Sequence, residues 1–245
     1  MMFRLDVPTA RGVVLNGVLF RKQREKSSDT VMIAITGIHG NFYSNPFYYN
    51  VGDTLNAGGI DFIYAQTNDA FGQIETINVN TGKKEVIGSW NERFAYTDED
   101  IEAYLTFVEQ EGYEHIILAG HSLGANKVIY YLSMHHDPRI EHFFFLSPAN
   151  LTYMMSGVTD REKQSIKEQV NRGDGDRMLP FPFMGWGIAS PTQPMTGSSL
   201  GFSTTCIPQE METSHRRKRS RIQALCWSGH MITSQMATRL SFCGI

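Results

Sequence analysis

Four short stretches of the chain are predominantly apolar: residues 31–35, 60–65, 115–119 and 140–146. Runs of this length suit strands buried on both faces of a sheet. Between them the period changes. Residues 48–57 form a helical stretch closed by Gly58-Gly59. In 97–112, Ile101, Leu105 and Val108 share one helical face, with Thr97 predicted as N-cap, acids in the first turn and Gly112 as the stop. Residues 125–135 predict a helix with Val128, Ile129 and Leu132 inward. Two short strands, 3–7 and 13–20, precede this series, and polar loops are expected at 21–30 and from Gln66 onward. Strands alternating with helical crossovers predict an α/β fold, a mostly parallel sheet flanked by helices. The four apolar runs are expected to lie parallel in one sheet.

The rhythm breaks at 148–195. Residues 161–170 read as a polar helix, and Leu179-Pro180-Phe181-Pro182-Phe183-Met184-Gly185-Trp186 is aromatic and Pro-rich. This stretch reads as a lid-like insertion on a core spanning 1–195. A second break is electrostatic. Residues 1–195 carry 23 acidic against 16 basic side chains, whereas 196–245 carry 2 against 6. All three cysteines, Cys206, Cys226 and Cys243, fall in that final segment, and the last aspartate is Asp176. With its Ser, Thr and Arg content and weak periodicity, 196–245 reads as an atypical tail, frame-shifted or disordered, that leaves the sheet incomplete.

The 245 residues suffice for one large core. A net charge of −3 argues against nucleic acid as a general partner, and the run at 216–221 reads as a solvated segment. Three cysteines without metal-ligand spacing fit a reducing compartment and no metal. The N-terminus has no apolar run behind it to form a leader, and no stretch approaches a membrane span. The expectation is a cytoplasmic protein.

The chemistry-bearing motif is Gly120-His121-Ser122-Leu123-Gly124. Chance produces G-x-S-x-G in roughly one chain in ten of this length, given glycine near 7%. Context makes it specific: an apolar strand ends at Ala119, and a helix follows Gly124. A serine on such a turn projects its hydroxyl above the sheet edge, beside the N–H groups of a helix start. A second loop, His39-Gly40-Asn41, follows the strand ending near Thr36. The backbone N–H groups of Asn41 and Leu123 are the expected oxyanion donors, with His39 bracing its loop.

With Leu146-Ser147-Pro148-Ala149 closing the next strand, this series resembles the α/β-hydrolase superfamily over roughly residues 10–150. The stretch from Ile101 to Leu132 resembles an esterase-like branch that includes fungal siderophore-ester hydrolases. The resemblance implies a Ser–acid–His triad with Ser122 as nucleophile, no cofactor, and a small ester or thioester substrate. The acid has no counterpart, since only Glu210 and Glu212 follow Asp176. His230, behind Ala224-Leu225-Cys226-Trp227, is the expected base. The alternative is a truncated or frame-shifted, inactive relative.

Overall fold

The structure is a computed structural model that describes residues 1–21, 28–183 and 225–227. β1 (Met2–Pro8) and β2 (Val14–Phe20) form an antiparallel pair, and β2 hands over to the parallel core. Then come β3 (Thr30–Ile35), α1 (Phe47–Ala57) and β4 (Asp61–Ala65). A hairpin of β5 (Ile74–Ile77) and β6 (Lys84–Ile87) forms a separate two-stranded sheet. α2 (Thr97–Gln110), β7 (His115–His121), α3 (Leu123–Met134) and β8 (Ile140–Leu146) complete the alternation. Two further helices follow, α4 (Leu151–Ser156) and α5 (Asp160–Asn171), and a three-residue β9 (Leu225–Trp227).

The main sheet runs β1-β2-β4-β3-β7-β8-β9. The pairs β3·β4, β3·β7 and β7·β8 are parallel, as the four apolar runs predict, so the sheet is mostly parallel and flanked by helices. Strand alternation assigns the faces. Val31, Ile33 and Ile35 pack with Ile101, Leu105 and Val108 of α2 and with Ala125 and Val128 of α3. Met32 and Ala34 point to the other face, against Tyr48 and Leu55 of α1. Tyr104 of α2 is fully buried, and its hydroxyl donates to the Gln66 carbonyl at 2.7 Å, which ties the helix to the end of β4.

Two expectations are corrected. Thr97 is the first helical residue rather than the N-cap, because a 3-10 turn over Phe94–Tyr96 leads directly into α2; its hydroxyl finds no partner among the described residues. The polar stretch after Gln66 contains the β5–β6 hairpin. A three-residue strand from the final segment, Leu225–Trp227, pairs parallel with Phe144–Leu146. The rest of that segment, His230 included, lies outside the described residues.

In residues 148–183, Thr159 and Glu162 form a reciprocal capping box at the start of α5. Val158, Ile166, Leu179 and Phe183 make a small apolar cluster of their own. Arg93 to Asp176 at 3.0 Å links this insertion to the main body.

Candidate active site

Ser122 stands between the last residue of β7 and the first of α3, with φ 55° and ψ −126°. That backbone resembles the first central position of a type II′ turn, which glycine favours and serine occupies under strain. The turn closes because its flanking residues lack side chains. A Cβ on Gly120 would lie 2.4 Å from the Gly124 carbonyl oxygen, and one on Gly124 would lie 2.2 Å from that of Ile35. The Ser122 N–H donates to Leu146 of β8 at 3.0 Å, and its carbonyl accepts from Ala149 at 3.3 Å. Asn126, one turn into α3, makes a reciprocal pair with the Ala149 backbone, at 2.9 and 3.1 Å.

On the other side of Ser122 lies the loop after β3. A Cβ on Gly37 would sit 3.0 Å from the Ser122 Cβ and 3.3 Å from the Leu123 nitrogen, so backbone meets backbone there. Beyond it, His39 has φ 56°, donates its N–H to the Asp69 carbonyl at 2.9 Å, and places Nε2 2.6 Å from Ser89 Oγ. The Asn41 N–H donates to the His39 carbonyl at 2.9 Å. Its side chain bridges the His39 and Ala70 carbonyls and accepts from the Tyr43 and Ser44 amides. Asn41 is thus a staple within its own loop, its N–H already committed. The N–H groups of Ile38 and Leu123 have no acceptor among the described residues.

His39, Ser122 and Ser147 are the non-glycine residues with positive φ among the described residues. They follow β3, β7 and β8, three neighbouring strands, at the same edge of the sheet. Strain of this kind persists where the surroundings over-determine it, and it concentrates at working sites. Beside it, the His121 ring packs edge-on against Phe47 and Tyr48 of α1, with centroids 5.0 and 6.0 Å away. Burial lowers the His121 pKa, which favours the neutral imidazole.

Beneath α3 lies a buried ionic cluster. Lys127 is fully buried, with its ammonium 2.9 Å from Asp69, 2.8 Å from Glu92 and 3.0 Å from Thr67 Oγ1. Asp100, also fully buried, accepts from Arg11 at 2.6 Å and from the Asn68 amide at 3.0 Å. Three buried carboxylates thus share Lys127 and the largely buried Arg11, which also pairs with the partly exposed Glu99 at 2.9 Å. Burial, together with Asp69 and Asp100, outweighs the pull of Lys127 and raises the Glu92 pKa to about 7.

No family model and no curated protein matches the sequence. Solved structures do. The α/β hydrolase GrgF from Penicillium sp. sh18 superposes with a TM-score of 0.56 at 11% identity, over 83% of this chain and 74% of that one. A hypothetical protein, PA2218 from Pseudomonas aeruginosa, gives 0.54 at 14% identity, over 80% and 70%. Est1E from Butyrivibrio proteoclasticus, with ferulic acid bound, gives 0.53 at 16% identity, over 80% and 70%. The chain has the α/β-hydrolase fold.

Within this α/β-hydrolase fold, the structure brings Ser122 and Leu123 to one turn and sets Gly37 against them. Asn41 belongs to the adjoining loop, and His230 lies outside the described residues. The placement of Gly37, Ile38 and Lys127 emerges only in the structure. A signal existed for the last: a lysine inside the apolar series Ala125 to Leu132 has to find partners or leave the core. Among the described residues, no helix is long and apolar enough to cross a membrane.

Proposed function

We propose that this chain is a serine hydrolase acting on carboxylic esters or thioesters, with Ser122 as nucleophile. One observation carries the reading. Ser122 is held in a strained turn by two obligatory glycines, at the strand edge where the neighbouring loops are strained as well. The Ser122 hydroxyl attacks the substrate carbonyl. The Leu123 and Ile38 N–H groups receive the oxyanion, Ile38 in place of Asn41, whose amide serves its own loop. Each such donor is worth about 10²–10³ in turnover. His230 is the proposed base, taking the Ser122 proton and returning it to the leaving group; water then releases the acyl group. In its support, His230 follows Trp227 by three positions, and Trp227 pairs with Leu146, the residue that holds the Ser122 amide.

The aromatic wall of Phe47 and Tyr48 beside His121 favours substrates with an apolar or aromatic group, and Est1E offers a parallel in binding ferulic acid. The insertion at 148–183, which packs around its own apolar cluster, is proposed as a lid. A second reading, an inactive protein of the same fold, is favoured by the lack of any aspartate beyond Asp176. A fluorophosphonate probe on the purified chain separates the two. Rapid labelling that disappears in Ser122→Ala supports the hydrolase. Labelling no faster than in that variant selects the inactive reading.

A further inference from the structure

We infer that Lys127, held between Asp69 and Glu92, is a positioning residue that sets the loop carrying Ile38 against the nucleophile's helix. This rests on the serine-hydrolase reading of Ser122 and adds a group to it that does not touch substrate.

The argument starts from where Lys127 sits. It lies four residues after Leu123, one helical turn deeper on the same face of α3. Helical side chains lean toward the N-terminus, so its stem runs back toward the turn that carries Ser122. Its side chain is fully buried, next to Ala125 and Val128, which are also fully buried. A buried ammonium is costly unless it is paired and hydrogen-bonded. An apolar side chain there would serve packing equally well, so core formation alone does not explain a lysine.

None of its three partners belongs to α3. Thr67 and Asp69 lie on the loop after β4, and Glu92 lies just before α2. Each of these segments also grips the loop after β3. The Asp69 carbonyl receives the His39 amide, the Ala70 carbonyl receives the Asn41 side chain, and Ser89 meets the His39 ring at 2.6 Å. A continuous path therefore runs from α3 through Lys127 to Asp69 and Glu92, and from their segments to His39. One end holds the Leu123 N–H and the other holds Ile38, the two proposed oxyanion donors. Donor placement has to hold within about 0.5 Å to be productive. The cluster fixes the spacing from below, where the reacting groups leave no room for a brace.

The test separates placement from stability. Lys127→Met alone strands two buried carboxylates and is expected to unfold the protein at lower temperature. The triple variant Lys127→Met, Asp69→Asn, Glu92→Gln removes all three charges together, and such neutral replacements tend to restore stability. With p-nitrophenyl butyrate as the probe substrate, the triple variant is expected to recover Tm while kcat stays down by roughly 10²-fold with KM little changed, the signature of misplaced groups. Its His39 amide should exchange with deuterium faster than in the natural chain. Recovery of both Tm and kcat, or unchanged His39 exchange in the folded triple variant, overturns the inference. Should the triple variant not fold, Asp69→Asn keeps the Lys127–Glu92 pair with balanced charge. The same fall in kcat and faster His39 exchange are expected there, and their absence is equally decisive against it. If the natural chain fails to label at Ser122, the hydrolase reading falls, and His39 exchange still decides whether Lys127 sets the loop.

Discussion

Ser122 holds a backbone conformation that costs a non-glycine residue about 1–3 kcal/mol. Glycine relieves that strain and alanine does not. Ser122→Gly is therefore expected to be more stable than Ser122→Ala by about 1–2 kcal/mol in urea titrations, after the larger unfolded-state entropy of glycine is deducted. Both should lose probe labelling completely. Glu92 supplies a second residue-level prediction. Its carboxyl holds a proton up to about pH 7 in the folded chain, against an ordinary value of 4.5. Between those values the folded state binds more protons than the unfolded state, so the contribution of Glu92 to stability falls as pH rises through the window. Denaturation curves from pH 5 to pH 8 should show this decline, and Glu92→Gln should flatten it.

At the scale of elements, Arg139 joins three pieces. Its guanidinium, at the foot of β8, meets Asp137 at the end of the α3–β8 connection and Glu102 and Glu109 on α2. Pairing with Arg139 draws the Asp137 carboxyl down to about 2. Isolated surface pairs contribute little, but a network around one half-buried guanidinium contributes more. Arg139→Ala is expected to cost about 1–2 kcal/mol, with the cost shrinking in high salt because both glutamates are half exposed. The parallel strands β3, β4 and β7 were legible from sequence because burial on both faces leaves a near-continuous apolar signature, and β8, though only partly buried, keeps the run Phe143–Leu146. The β5–β6 hairpin was not, since each strand has four residues and is half exposed, so too few positions alternate. The Gly120–Gly124 turn was legible because its glycines are local to Ser122. Gly37, Ile38 and Lys127 were not, because what gives each its role lies on another strand or loop: Gly37 is defined by Ser122, and Lys127 by Asp69 and Glu92.

At the scale of the whole molecule, the α/β-hydrolase fold gathers the strained loops of His39, Ser122 and Ser147 at one edge of the sheet and buries the Lys127 cluster in its body. The antiparallel β1–β2 pair extends the sheet on the far side from β8. The order of the strands also has a consequence in time. Among the described residues, six of the seven strands of the main sheet, and the three helices packed on its two faces, lie before Ser147. A chain emerging from the ribosome therefore exposes those six strands and three helices before the insertion at 148–183 exists, and domains commonly fold N-terminal part first. Translation-arrested chains released just past Leu146 should already resist brief protease treatment over residues 28–146. Cleavage throughout that region, with protection arriving only once Leu225–Trp227 has emerged, would show that the last strand, and not the core, commits the nascent chain to its shape.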